Sequence, residues 1–72
     1  MRERSYYPVM ATLRNARIDQ GWTQLEVAAE IGASQGAVCF WENGGRPPTL
    51  RHLTRLADFL GYEITATPKE SP

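Results

Sequence analysis

Residues 23–45 read TQLEVAAEIGASQGAVCFWENGG, and this stretch decides the fold. Thr23 stands three residues before Glu26. Its hydroxyl can accept from the Glu26 amide while that carboxylate reaches back to the Thr23 amide, the reciprocal arrangement that opens a helix. Leu25, Ala28 and Ala29, with Val27 beside them, supply an apolar face, and the helix is expected to end near Ile31. Gly32 can take the left-handed conformation that turns the chain sharply. Ser34 offers a second N-cap, and Ala37, Val38 and Trp41 follow at three- and four-residue steps, so another short helix should close at Asn43 and Gly44. Two short helices separated by a three-residue turn result.

Working outward, Val9, Leu13, Ala16 and Arg17 recur with helical spacing, with Met10 and Ile18 beside them, and Gly21 stops the run. The spacing predicts a helix from about Pro8 to about Gln20. On the other side, Gly44, Gly45, Arg46, Pro47 and Pro48 cannot continue a helix and form a loop. Thr49 then caps a segment whose Leu50, Leu53, Leu56, Ala57 and Leu60 share a face, and Gly61 ends it. Tyr62, Ile64 and Ala66 alternate with Glu63, Thr65 and Thr67, which predicts a short strand over residues 62–67 before a polar tail at 68–72. No internal repeat or second-domain linker interrupts the chain. The expected architecture is all-α, a compact bundle of four to five short helices with a short C-terminal strand added, forming one domain over residues 1–72 with its core at 8–61.

The bulk numbers agree with one small core. A chain of 72 residues buries only about 60% of the surface it exposes when unfolded. Hydrophobic residues at 42% and charged residues at 22% separate it from disordered sequences. The lone Cys39 cannot form an internal disulfide, so a second copy of the chain is the natural support for so small a core, and a homodimer is expected. One cysteine suits a reducing cytoplasm, and no apolar run approaches the roughly 20 residues of a membrane span. Eight Lys and Arg balance eight Asp and Glu. Residues 1–55 hold seven arginines against five acids, and the remainder holds one lysine against three, so a mildly basic body is cancelled by its tail.

Catalysis needs a nucleophile, base or metal constellation, and one His, one Cys and scattered carboxylates do not assemble one. His52 has no Cys, Asp or Glu at ligand spacing and reads as a surface residue. Cys39 has no basic neighbour in sequence and reads as a small filler or methyl contact. No cofactor is expected, and the chain is not expected to be an enzyme.

Two helices joined by a short Gly-containing turn can cross steeply and leave the second free to enter a major groove about 12 Å wide. Such pairs also occur in structural bundles, so spacing alone leaves both meanings open. The residues go further. Thr23-Gln24-x-Glu26-x-Ala28-x-x-Ile31-Gly32-x-Ser34-Gln35, followed by Trp41-Glu42-Asn43-Gly44, resembles the Cro/C1-type helix-turn-helix family of phage repressors and related bacterial regulators. The similarity continues through the first helix, the Arg46-Pro47-Pro48-Thr49-Leu50 loop and the Leu53, Leu56, Ala57, Leu60 pattern, covering about residues 10–61.

The resemblance implies a lambda repressor-like fold that binds double-stranded DNA as a homodimer without a cofactor. It implies that Gln24 contacts a phosphate and that Asn43 forms a second phosphate clamp, with Arg46 placed to add a charged contact. Arg51 and Arg55 are weaker candidates. Gln35 matches the base-reading position, where its amide can pair with adenine N6 and N7. Arg17 and Glu42 match positions that form a partly buried structural ion pair. Since Ala37, Val38 and Trp41 should face the core, Ser34, Gly36, Cys39 and Phe40 share the outward face with Gln35.

Here the chain departs from a usual polar reader. Gly36 has no side chain, and Phe40 cannot hydrogen-bond to a base. Phe40 can pack on thymine methyls or against a partner chain, and both stay open. Arg2 and Arg4 form either a frayed terminus or a basic arm reaching a neighbouring groove. The leading expectation is a phage Cro/C1-type repressor. The alternatives are an antitoxin-type regulator that also binds a toxin and a module that binds only protein.

Overall fold

The computed structural model describes residues 7–66. Arg2 and Arg4, residue 67 of the expected strand and the 68–72 tail lie outside them. Four helices follow in order: α1 (Tyr7–Asp19), α2 (Gln24–Ile31), α3 (Gln35–Glu42) and α4 (Leu50–Leu60).

Side-chain caps set the helix starts. Thr23 Oγ1 accepts from the Glu26 amide at 3.0 Å while Glu26 Oε1 accepts from the Thr23 amide at 2.9 Å, a complete capping box. Ser34 Oγ accepts from the Ala37 amide at 3.1 Å, and Thr49 Oγ1 accepts from the His52 amide at 3.2 Å. α2 stops at Gly32, whose φ of 77° is left-handed, and the Ala33 amide donates back to the Ala28 carbonyl at 2.9 Å. A side chain at Gly32 would be strained by that φ. The reversal between α2 and α3 therefore depends on glycine.

One core joins all four helices: Met10, Leu13 and Ala16 from α1, Val27, Ala28 and Ile31 from α2, Val38 and Trp41 from α3, and Leu56, Ala57 and Leu60 from α4. Trp22, in the turn before α2, tilts against Phe59 with ring centroids 5.0 Å apart. At one end, Gln20 Nε2 donates to the Leu60 carbonyl at 2.8 Å, tying the segment after α1 to the last turn of α4.

Several sequence expectations need correction. Leu25 is 62% exposed and Ala29 is exposed, because the buried face of α2 is centred on Val27, Ala28 and Ile31. At 3.6 residues per turn, Leu25 lies about 110° and Ala29 about 150° from that centre. Val9 and Ile18 are likewise exposed on α1, where Met10 takes the core position. Leu50 is 70% exposed because it sits at the edge of the α4 face, in its first turn. No strand forms over 62–66 among the described residues. A single extended segment has no neighbour with which to complete a ladder. It leaves α4 through the Tyr62 amide, which donates to the Ala57 carbonyl at 2.7 Å, and residues 62–65 line a cleft with Val9, Thr12 and Leu13 of α1.

Candidate nucleic-acid interface

α3 presents one side to the core and the other to solvent. Val38, Trp41 and Glu42 are buried, and Ala37 is half-buried. Ser34, Gln35, Gly36, Phe40 and Asn43 are exposed, and Cys39 is half-buried. The outer face is therefore continuous from the N-cap to the residue after the last turn. Gln35 has no side-chain partner among the described residues, which leaves its amide free to present a donor and an acceptor. An added Cβ at Gly36 would meet only Ser34 Oγ, at 4.0 Å, so the centre of this face is open. Asn43 Nδ2 donates to Cys39 Sγ at 3.5 Å, which aligns two outward residues one turn apart.

Beneath this face lies a polar junction. Arg17 donates from Nε to Glu42 Oε2 at 2.7 Å and from Nη2 to Oε1 at 3.0 Å, a bidentate pair. Its Nη1 donates to the Trp22 carbonyl at 2.7 Å. The two side chains are only 12% and 3% exposed, so this is an interior ion pair that ties α1 to the end of α3. Gln24, in the first turn of α2, donates from Nε2 to Glu42 Oε1 at 3.0 Å. Its second N–H and its carbonyl oxygen remain for a ligand at the start of α2.

Sequence reasoning missed three features. Arg55, a weaker phosphate candidate, places Nη1 3.4 Å from the Ile31 carbonyl and so serves the α2 terminus. Nothing in its local sequence distinguishes that role from an exposed arginine on a helix. The contribution of Trp22 through its carbonyl is invisible to side-chain pattern. The loop after α3 returns on itself, and the Gly45 amide donates to the Phe40 carbonyl at 2.9 Å. The paired glycines, read only as a helix stop, were the signal for that return.

Residues 23–45 hold three carboxylates, Glu26, Glu30 and Glu42, and no Lys or Arg. Glu26 is held by the capping box and Glu42 by Arg17, which leaves Glu30 exposed on α2. Exposed cations outside the pair include Arg46 after α3, Arg14 on α1 and Arg51 and Arg55 on α4. Among the described residues no group of His, Cys, Asp and Glu is arranged to hold a metal ion, and no helix is long and apolar enough to cross a membrane.

A family model described as helix-turn-helix matches residues 13–66, which spans all of α2, α3 and α4 and most of α1. The chain belongs to the helix-turn-helix family, of the Cro/C1 type. Helix-turn-helix proteins of this family are DNA-binding regulators, and α2 and α3 with the Gly32 turn form the motif here. Among solved structures, this helix-turn-helix chain is similar to a chain in a structure described as a HipA-HipB-O2-O3 complex. The TM-score is 0.78 at 24% identity, with 97% of this chain and 99% of the other covered. No curated protein matches the chain.

Proposed function

We propose that this protein is an antitoxin-type transcriptional regulator, a homodimer that binds an operator through α3 and also binds a partner protein. The DNA half follows from the family and the exposed face of α3. A dimer would place each α3 in successive major grooves, about 34 Å apart on one side of the duplex, and occlude a promoter. In this reading Gln35 pairs with a base, Ser34, Gly36, Cys39 and Phe40 complete the contact with base edges, and Gln24, Asn43 and Arg46 hold phosphates.

The observation that carries the antitoxin half is the likeness, over nearly the whole of both chains, to a member of the assembly described as HipA-HipB-O2-O3. A fold shared across such a span with a component of a multi-member complex favours a regulator with a protein partner over a phage repressor acting alone. The dimer contact in this proposal is the stretch 62–67, where the exposed Tyr62 and Ile64 have no strand neighbour among the described residues.

Selection of duplexes from a randomised pool at about physiological salt tests the DNA half. An enriched inverted repeat with half-sites one helical turn apart is expected. Expression of the product of the adjacent gene, with and without this chain, tests the other half. Growth arrest relieved by co-expression is expected, whereas no arrest would return the protein to the repressor class.

A further inference from the structure

Phe40 is 60% exposed on the outer face of α3, and the loop that follows returns beside it. After Glu42 the chain turns through Asn43 and Gly44, and the Gly45 amide donates to the Phe40 carbonyl at 2.9 Å. A Cβ at Gly45 would stand 3.2 Å from Phe40 Cδ1, 3.9 Å from Cε1 and 3.5 Å from the Phe40 oxygen. Gly45 is absent from the positive-φ glycines, so its backbone conformation is open to other residues. A side chain at this position would press on the ring, which would have to give by a few tenths of an ångström. Glycine here leaves the ring the place and rotamer it occupies, which a side chain at Gly45 would disturb.

The surroundings of that ring define what it can recognise. The other outward residues on and beside α3 are Ser34, Gln35, Gly36, Cys39 and Asn43, none of them charged. In the major groove the edges of guanine, adenine and cytosine carry hydrogen-bonding groups, which a phenyl ring would strip of water without replacing. The C5-methyl of thymine is the apolar group on offer there.

We propose that Gly45 is a specificity-determining position, whose lack of a side chain leaves the Phe40 ring placed to pack on the C5-methyl of a pyrimidine in each half-site. This assignment rests on the DNA-binding reading above. Gly45 acts as a positioning residue and Phe40 as the reader. Neither needs a charge, in keeping with a recognition surface that has none.

The test uses an operator duplex recovered from the selection, with each thymine replaced in turn by deoxyuridine, which lacks only that methyl. Affinity is read by fluorescence anisotropy at fixed salt. One thymine per half-site should lose about fourfold in affinity as deoxyuridine, the value of one methyl-sized group removed from water. In the Phe40→Ala chain that penalty should vanish. In Gly45→Ala it should shrink while the melting temperature stays near that of the parent chain, and Gly45→Ala should add nothing in a Phe40→Ala background. Cytosine at the sensitive position should bind better once methylated at C5, which separates methyl recognition from recognition of the thymine oxygen.

An enriched duplex indifferent to deoxyuridine everywhere, or an equal penalty in the parent and Phe40→Ala chains, overturns this assignment alone. The absence of any enriched duplex removes the DNA-binding reading and this assignment with it. Unchanged DNA affinity in Phe40→Ala, with loss of a protein partner, would make the ring a protein contact and overturn the proposal as well.

Discussion

Gln24 and Glu42, 18 residues apart in sequence, are joined by a hydrogen bond of 3.0 Å from Nε2 to Oε1. The same oxygen accepts from Arg17 Nη2, so the side chain at the start of α2 is oriented by the ion pair beneath α3. In the proposed role of Gln24, stability and DNA contact therefore share one carboxylate.

Arg17→Ala or Glu42→Ala should each lower unfolding free energy by about 3–5 kcal/mol, because each strands a charge in a nearly dry site. In a domain of this size that corresponds to a fall in Tm of well over 10 °C. Urea denaturation of the single variants and of Arg17→Met/Glu42→Leu checks the cause. The double variant should be more stable than either single one, since no lone charge remains.

Gln24→Ala should weaken binding to every duplex by a similar factor, about tenfold for one lost contact to a charged phosphate. Anisotropy titrations with the selected operator and a scrambled duplex provide the comparison. A loss confined to the operator would make Gln24 a base reader.

Gln35→Ala should cost about 1–3 kcal/mol at one base pair and flatten the preference there, with scrambled DNA bound as before. Repeating the duplex selection with the variant reads this directly. Uniform weakening would move Gln35 to the phosphate contacts.

Arg46→Ala should reduce the slope of log affinity against log salt by about one. The parent slope should itself be shallow, because residues 23–45 carry no Lys or Arg. Titrations between low and physiological salt measure both.

Truncation after Gly61 should convert the dimer into a monomer in sedimentation velocity, while the helical circular dichroism is retained. The core residues all lie at or before Leu60. Sedimentation unchanged by the cut would transfer the dimer contact to the helices.

What could be read from sequence was local. Thr23, Ser34 and Thr49 announce helix starts because a cap needs only a hydroxyl and an amide two or three residues on. The spacing of Ala37, Val38 and Trp41 was enough to turn Gln35, Gly36 and Phe40 outward. Leu25 and Ala29 were misplaced because an eight-residue helix gives periodicity little leverage, and their apolar character suited the wrong face. The Gln20 contact with Leu60 spans 40 residues and leaves no trace in local pattern. The closeness of Gly45 to the Phe40 ring was hidden for a different reason, since glycine in a loop is usually read as a need for an unusual φ.

The acidic cast of the helix pair bears on how such a regulator is deployed in a cell. Most of a chromosome is wrong sequence, and a protein drawn to phosphates at large is stored there, away from its operator. With three carboxylates and no cation between Thr23 and Gly45, the proposed regulator would draw little on that reservoir through its helix pair. In the proposed function its unbound pool would then stay in solution, where fewer copies would fill an operator and a protein partner would titrate them without first stripping them from bulk DNA.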